Sequence, residues 1–235
     1  MAADLERAKV AAAGRAADAV RPEMRLALGT GSSAAAAVRA LAERFPGRAL
    51  DCVASSRATE ELARSLGLGV RELRADDRFD LMIDGADEVS AALDLTKGGG
   101  GALFREKLLA GLSRSLVIVV DPSKLVERLG ERQPIPVEVV SFARDVLAHG
   151  FAAEGYRVRL RLRPGGVPFI TDNGNEILDL SPPAPIDDPA ATAAALRART
   201  GVVETGLFVG MADRVLVGRP DGSADERRRP PPRAR

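Results

Sequence analysis

The sequence predicts an α/β fold: a Rossmann-like parallel sheet with helices on both faces, plus a smaller inserted α+β domain of ferredoxin-like type. Three observations carry that expectation. Short apolar runs alternate with helical patterns from residue 25 to 121, as in successive βαβ units. From about 131 to 206 apolar and polar residues alternate instead, the mark of half-buried antiparallel strands. Near 212–218, ADRVLVG returns to the first texture, so the chain is expected to rejoin the first sheet. The predicted boundaries are 1–130 with 207–228 for the Rossmann-like domain, 131–206 for the smaller one and 229–235 for a disordered tail.

Residues 2–20 are alanine-rich with spaced charges and read as a helix. MRLAL is an apolar run that ends in the glycine-serine loop Gly29-Thr30-Gly31-Ser32-Ser33, and AAAAVRALAERF is a second helix. ALDCVASS reads as a strand closing on two serines, followed by the helix RATEELARSLG with glycine at its end. FDLMID is a strand closing on an acid, GALFREKLLAGLS a helix and SLVIVVD a buried strand. In the smaller domain, PVEVV and YRVRLRLR alternate as strands, FITDNGNEILDL reads as a hairpin around an Asp-Asn-Gly turn, and DPAATAAALRARTG reads as a helix. The arginine and proline run DERRRPPPRAR reads as a solvated tail.

Composition excludes several classes of function. With 34 Lys+Arg against 33 Asp+Glu, the net charge is +1, so neither nucleic acid nor a membrane surface is an expected partner. No run approaches the roughly 20 apolar residues of a membrane span. The charged start MAADLERAK lacks the apolar core of a signal peptide, and cytoplasm is the expected compartment. Cys52 is the only cysteine and sits in an apolar run, which reads as a buried structural thiol. His149 is the only histidine, so a Ser-His-Asp triad or a multi-histidine metal site is disfavoured and any general base is expected to be a carboxylate or a lysine.

Two segments carry the chemistry. Thr30, Gly31, Ser32 and Ser33 lie where a strand passes to a helix, a place with free backbone N–H groups, a favourable helix dipole and hydroxyl donors for an anion. The same residues loosely match a dinucleotide fingerprint, but the next strand ends in Ser55-Ser56 and not in the acid that would hold a ribose. The second segment runs from Asp84 to Lys107. Asp84 closes an apolar strand, followed by Gly85, Ala86, Asp87 and Glu88; a helix N-cap with acids in its first turn is the plain alternative. Lys97 then precedes Gly98, Gly99, Gly100 and Gly101. Four consecutive glycines forfeit much backbone entropy on folding, so a backbone packed closely against a ligand is the better reading. Glu106 follows near a helix start and can point into the ligand space, while Lys107, one position on, is expected to face solvent.

At these residues the chain resembles ribose-5-phosphate isomerase of the A type. The likeness rests on GTGSS at 29–33, SSRATEELARSLG at 55–67, DGADEV at 84–89 and KGGGGALFREK at 97–107. VVDPSK at 119–124, PIPVEV at 134–139, TDNGN at 171–175 and GLF at 206–208 continue it in order, over nearly the whole chain before the tail. The resemblance implies interconversion of ribose 5-phosphate and ribulose 5-phosphate without metal or cofactor, in a homodimer or homotetramer that binds a small sugar phosphate. It places the proton-transfer glutamate on Glu106. It places substrate contacts on Thr30, Gly31, Ser32 and Ser33, on Asp84, Gly85, Ala86 and Asp87, and on Lys97, Gly98, Gly99 and Gly100. Lys124, and with less support Lys9, are implied phosphate ligands. Ser33 departs from the family's usual threonine but keeps the hydroxyl, and Glu204-Thr205 stand where many members carry a histidine.

Aldose–ketose isomerisation through an enediolate needs one base and a stabiliser for the developing oxyanion. On that reading Glu106 is the base, Lys97 and the glycine N–H groups support the oxyanion, and Asp84 and Asp87 handle hydroxyl protons. Three other readings compete. A sugar-phosphate-sensing regulator would need a DNA-binding segment for which the chain before residue 25 is too short. A nucleotide-dependent oxidoreductase would need the missing ribose acid. An acyl-CoA transferase would use a glutamate to form a thioester that hydroxylamine traps.

Overall fold

The computed structural model describes residues 2–48 and 50–229, so the predicted tail lies outside the described residues apart from Arg229. In chain order the elements begin with α1 (Ala2–Ala17), β1 (Arg25–Leu28), α2 (Ser32–Arg44), β2 (Asp51–Ala54), α3 (Arg57–Ser65) and β3 (Leu81–Asp84). Next come β4 (Glu88–Val89), β5 (Leu95–Thr96), α4 (Leu103–Leu112), β6 (Leu116–Val120) and β7 (Ile135–Val139). The chain continues through α5 (Arg144–Ala153), β8 (Arg157–Leu160), β9 (Glu176–Ser181), α6 (Pro189–Arg197) and β10 (Val202–Thr205). It ends with β11 (Leu207–Phe208), β12 (Arg214–Gly218) and β13 (Ala224–Arg228).

Two compact units result, and the first takes Met1–Gly85, Leu109–Lys124 and Gly210–Arg235. It contains a six-stranded sheet in the order β13-β12-β6-β3-β1-β2. The pairs among β12, β6, β3, β1 and β2 are all parallel, and only β13 runs antiparallel, on the edge beside β12. The central strand β6 reads LVIVV and is buried at every position, as a parallel strand covered on both faces must be. Alanines 8, 12, 13 and 16 of α1 are buried, and small residues there let the helix backbone lie close on β12. A Cβ on Gly218 would stand 1.7 Å from the Ala8 carbonyl oxygen. Cys52 is buried in this core as predicted, and burial, with the neighbouring Asp51 charge, pushes its thiol up to about 12.

The charged start of the DERRRPPPRAR run is folded, inside the predicted 207–228 boundary. Asp225 to Arg228 belong to β13, whose register pairs Val217 with Asp225 and Val215 with Arg227. A charged edge strand is a common device, because its side chains discourage further pairing. Its charges also pair within the sheet edge: Arg219 with Asp225 at 2.5 Å and Arg228 with Glu226 at 2.7 Å.

The second unit takes Ala86–Leu108 and Leu125–Val209, and so exceeds the 131–206 expected from texture. Its four-stranded antiparallel sheet has the order β10-β7-β9-β8, and with α5 and α6 the chain order is βαββαβ, the ferredoxin-like arrangement. The helix α6 starts on Asp188, whose carboxylate accepts the Ala191 N–H at 2.9 Å, with Pro189 at the first helical position. The added pieces form a small sheet, β11-β5-β4, and the run into β7. Alternation could not mark them, because strands of two residues carry no period.

The hairpin predicted across FITDNGNEILDL does not form. Both edges of β9 are occupied, by β7 on one side and β8 on the other. Phe169 instead donates its N–H to Arg161 at 2.9 Å, and Leu162 bridges Pro168. The Asp-Asn-Gly segment remains a turn, closed by Thr171 N–H on the Asn175 carbonyl at 2.8 Å. Glu138 on β7 sits beneath it, accepting from the Thr171 hydroxyl and the Asn173 and Asn175 amides at 2.9–3.0 Å. Among the described residues no helix is long and apolar enough to cross a membrane.

Candidate active site

In the first unit, β1 hands over to α2 through Gly29-Thr30-Gly31. Gly31 is the N-cap residue, with φ 102° and ψ 179°, a combination that essentially only glycine adopts. The first-turn N–H groups of α2 have no carbonyl within the helix to donate to, so this end suits an anion. Asp84, at the end of β3, is fully buried. Its Oδ1 accepts the N–H of Thr30 at 3.2 Å and of Gly85 at 2.7 Å. Gly29 makes room for that carboxyl: a Cβ there would lie 2.0 Å from Asp84 Cγ. Ser33 faces Gly85, with its Cβ 3.1 Å from where a Gly85 Cβ would stand.

A chain of hydroxyls lies behind the loop. Thr30 Oγ1 is 2.7 Å from Ser55 Oγ and donates to Ser56 Oγ at 2.9 Å. Ser56 donates to Thr59 Oγ1 at 3.0 Å, and Thr59 donates to the Gly29 carbonyl at 2.8 Å. Ser56 also caps α3 by accepting the Thr59 N–H. The sequence shows these serines only as a strand end and an N-cap. Their bond to Thr30 depends on β1 and β2 being parallel neighbours in register.

In the second unit, β4 and β5 form a tight antiparallel pair that delivers Asp87 and Lys97 to its open end, with the Asp87 N–H on the Thr96 carbonyl at 2.8 Å. The helix N-cap alternative for the acids fails, because a strand follows them. Gly99 donates its N–H to Asp87 Oδ2 at 2.7 Å, and a Cβ on Gly99 would come within 2.6 Å of Asp87 Oδ1. Gly98 and Gly101 have φ of 101° and 82° and close a turn through a 2.9 Å backbone bond. Gly98 and Gly101 are therefore demanded by left-handed backbone, and Gly99 by the close seat of a carboxylate.

Lys97 and Glu106 are both 2 % exposed, with Nζ 3.3 Å from Oε2. Glu106 lies in the first turn of α4, where the aligned peptide dipoles favour an anion. The Lys97 ammonium also stands 5.4 Å from the centre of the Phe208 ring. A buried acid and a buried amine thus lie side by side beside the glycine turn, where their charges are weakly screened.

Two neighbours of these residues depart from expectation. Lys107 does not face solvent: its Nζ donates to Glu204 at 2.8 Å and to the Thr205 carbonyl at 2.6 Å, and sits 4.7 Å from the Phe208 ring centre. Burial pulls its ammonium below the ordinary lysine range, against the opposing pull of Glu204. Glu204 is thus the partner of a buried lysine. Glu88 is structural, with its carboxylate collecting N–H groups of Gly130, Arg132 and Gln133 at 2.7–2.9 Å. On the other side of Glu106, Arg105 reaches Asn173 at 2.8 Å and the Asp172 carbonyl at 2.9 Å.

Of the residues singled out from sequence, Thr30, Gly31, Ser32, Ser33, Asp84 and Gly85 gather in the first unit. Ala86, Asp87, Lys97, Gly98, Gly99, Gly100 and Glu106 gather in the second. Lys9 on α1 pairs with Glu6 at 3.7 Å, and Lys124 ends the short 3-10 turn Pro122–Lys124 after β6. Among the described residues no hydrogen bond or ion pair ties either lysine to the 29–33 loop.

Residues 51–222 match the family model of ribose 5-phosphate isomerase A (phosphoriboisomerase A). A ribose-5-phosphate isomerase A of Thermomicrobium roseum is 50% identical over 219 residues, covering 92% of each chain. One of Chloroflexus aurantiacus is 48% identical over 220 residues, again covering 92% of each. A solved D-ribose-5-phosphate isomerase in complex with phospho-erythronic acid superposes with a TM-score of 0.90 at 33% identity, covering 96% of this chain and 100% of its own.

Proposed function

This chain belongs to the ribose-5-phosphate isomerase A family, and we infer that it interconverts D-ribose 5-phosphate and D-ribulose 5-phosphate as an aldose–ketose isomerase of the non-oxidative pentose phosphate pathway. The observation that carries the mechanism is the buried pair of Glu106 and Lys97, 3.3 Å apart at the start of α4. Glu106 removes the proton from C2 of the open-chain aldose. The C–H electron pair becomes the C1=C2 double bond, and the carbonyl pair moves onto O1. Lys97 and the glycine-turn N–H groups other than that of Gly99, which Asp87 already takes, meet that developing oxyanion, where a single well-placed donor contributes about 3–4 kcal/mol. Glu106 then delivers its proton to C1, while O2 loses a proton and becomes the ketone.

Asp84 and Asp87 orient hydroxyls, assist ring opening and move the proton between O1 and O2. Both accept backbone N–H groups, and burial further fixes Asp84. Thr30, Gly31, Ser32 and Ser33, with Lys124 and Lys9, take the phosphate. Binding energy from that remote group positions the reacting carbons. The neighbour's phospho-erythronic acid is a phosphorylated acid whose planar carboxylate resembles the enediolate end of such an intermediate.

The test is Glu106→Gln, assayed by ketose formation from ribose 5-phosphate with calorimetric titration of phospho-erythronic acid. Turnover is expected to fall by about 10³-fold or more with binding within a few-fold of the parent; near-normal turnover overturns the assignment. A cytoplasmic homodimer or homotetramer is the proposed working form. Sedimentation at micromolar concentration checks the assembly, and a monomeric active enzyme contradicts it.

A further inference from the structure

We propose that Arg161 is a positioning residue for the isomerisation, holding and polarising the Gly98–Gly100 peptides from their carbonyl side. The proposal rests on the oxyanion role of the glycine N–H groups given above. Arg161 Nη1 donates to the carbonyls of Gly98 at 2.6 Å and Gly99 at 3.1 Å. Those carbonyls belong to the peptide units whose N–H groups are those of Gly99 and Gly100. Among the described residues there are no cis peptide bonds, and in a trans peptide the N–H points away from the C=O. A guanidinium on the carbonyl side therefore faces the negative end of each peptide dipole, with the N–H ends directed the opposite way.

One of those donors has a visible recipient. The Gly99 N–H meets Asp87 Oδ2 at 2.7 Å, so a line runs from the Arg161 cation through one peptide to the Asp87 carboxylate. Hydrogen bonds in such chains polarise one another, and a charged donor strengthens the next link. The Gly100 N–H, polarised in the same way, is the donor available to an oxyanion formed on substrate.

Arg161 itself is fixed. Its Nε and Nη2 form a two-point fork with Asp179 on β9, with Nε to Oδ2 at 3.1 Å. Asp179 is 4 % exposed and Arg161 15 % by side chain. The carboxylate leaves Nη1 directed at the glycine turn. Flanking Gly98 and Gly101 adopt positive φ, a backbone that the loop's own propensity does not select over alternatives. An external clamp on two consecutive carbonyls supplies that selection. Lysine lacks the planar fork and cannot hold Asp179 at two points while reaching both carbonyls.

The experiment compares Arg161→Met, Arg161→Lys and Asp179→Asn with the parent in kcat and KM. Each variant is also titrated with phospho-erythronic acid, which carries a planar anion at the reacting end, and with ribitol 5-phosphate, which carries none. Arg161→Met is expected to lower kcat about thirtyfold with KM changed less than about threefold, since a polarised donor is lost only where charge develops. Phospho-erythronic acid should bind more weakly by a similar factor and ribitol 5-phosphate as in the parent, with Arg161→Lys and Asp179→Asn intermediate. Parental kcat in Arg161→Met, or equal weakening of both ligands, overturns the proposal. If Arg161→Met does not fold, parental kcat in both other variants does so. An inactive parent, or an active Glu106→Gln, instead overturns the reading on which the proposal stands.

Discussion

The two glycine-rich turns of this protein both lead from a strand into a helix, and both seat a carboxylate against a missing Cβ. Gly29 leaves room for Asp84, and Gly99 for Asp87. Beyond that they differ. The 29–33 turn carries no charged side chain; hydroxyls and helix N–H groups surround it, and Thr30 is tied to Ser55 and Ser56. The 97–101 turn begins on a buried lysine, is clamped by an arginine, and opens on a helix whose first turn holds a buried glutamate. Neutral donors in a partly open turn suit an anion that arrives from water and must leave again. Buried ions suit proton transfer, because fixed charges act strongly where water is excluded.

The largest stability effect is expected where the seat is tightest. In Gly29→Ala the new methyl would stand 2.0 Å from the Asp84 carboxyl, which is fully buried and cannot swing aside. Overpacking of this kind costs about 3 kcal/mol. Gly99→Ala meets Asp87 at 2.6 Å, but this turn is exposed and the aspartate only half-buried, so relief is available. About 1 kcal/mol is expected there. Urea denaturation of both variants checks the difference, and equal losses would erase the contrast between a rigid and a yielding seat.

Glu204→Gln removes one partner from an ion pair whose side chains are only 13 % and 14 % exposed. It leaves the Lys107 ammonium on Phe208 and the Thr205 carbonyl, and about 2 kcal/mol of stability should be lost, less than for a fully buried pair. Exchange of the double variant Lys107→Met/Glu204→Gln against the singles measures the coupling; additive losses would mean the pair is not one.

The smallest effect is in the pH dependence. Because burial lowers the Lys107 pKa in the folded state, its charge is penalised there at every pH below that lowered pKa. As pH rises toward the unfolded value of 10.5, the folded state releases this proton first and gains stability. Lys107→Met should lack that alkaline gain. Parallel stability curves for the two proteins between pH 8 and 10.5 would contradict it.

Much of this was legible in the chain. The strand-to-helix alternation over 25–121 marks the parallel sheet, and apolar LVIVV marks its buried centre. Asp84 at a strand end and four glycines after Lys97 announce a crowded backbone, because local entropy makes such a run unfavourable without close packing, and the structure seats carboxylates there. The charges of Asp225 to Arg228 fit an edge strand as readily as water, so composition alone cannot separate them from the run that follows. The burial of Lys107 is not legible, because adjacency on a helix says which residues diverge by about 100° and not which of those directions is occupied.

What the sequence determined by itself, then, was local: element type, turn chemistry and the residue types needed for proton transfer. Tertiary structure alone decided which distant groups meet. Thr30 finds Ser55 and Ser56 across neighbouring strands, Lys107 finds Glu204, and Arg161 finds Gly98. The physical reason is that burial and pairing depend on what other segments bring to the same place, and a period of two or of 3.6 residues reports only the near neighbours of each position.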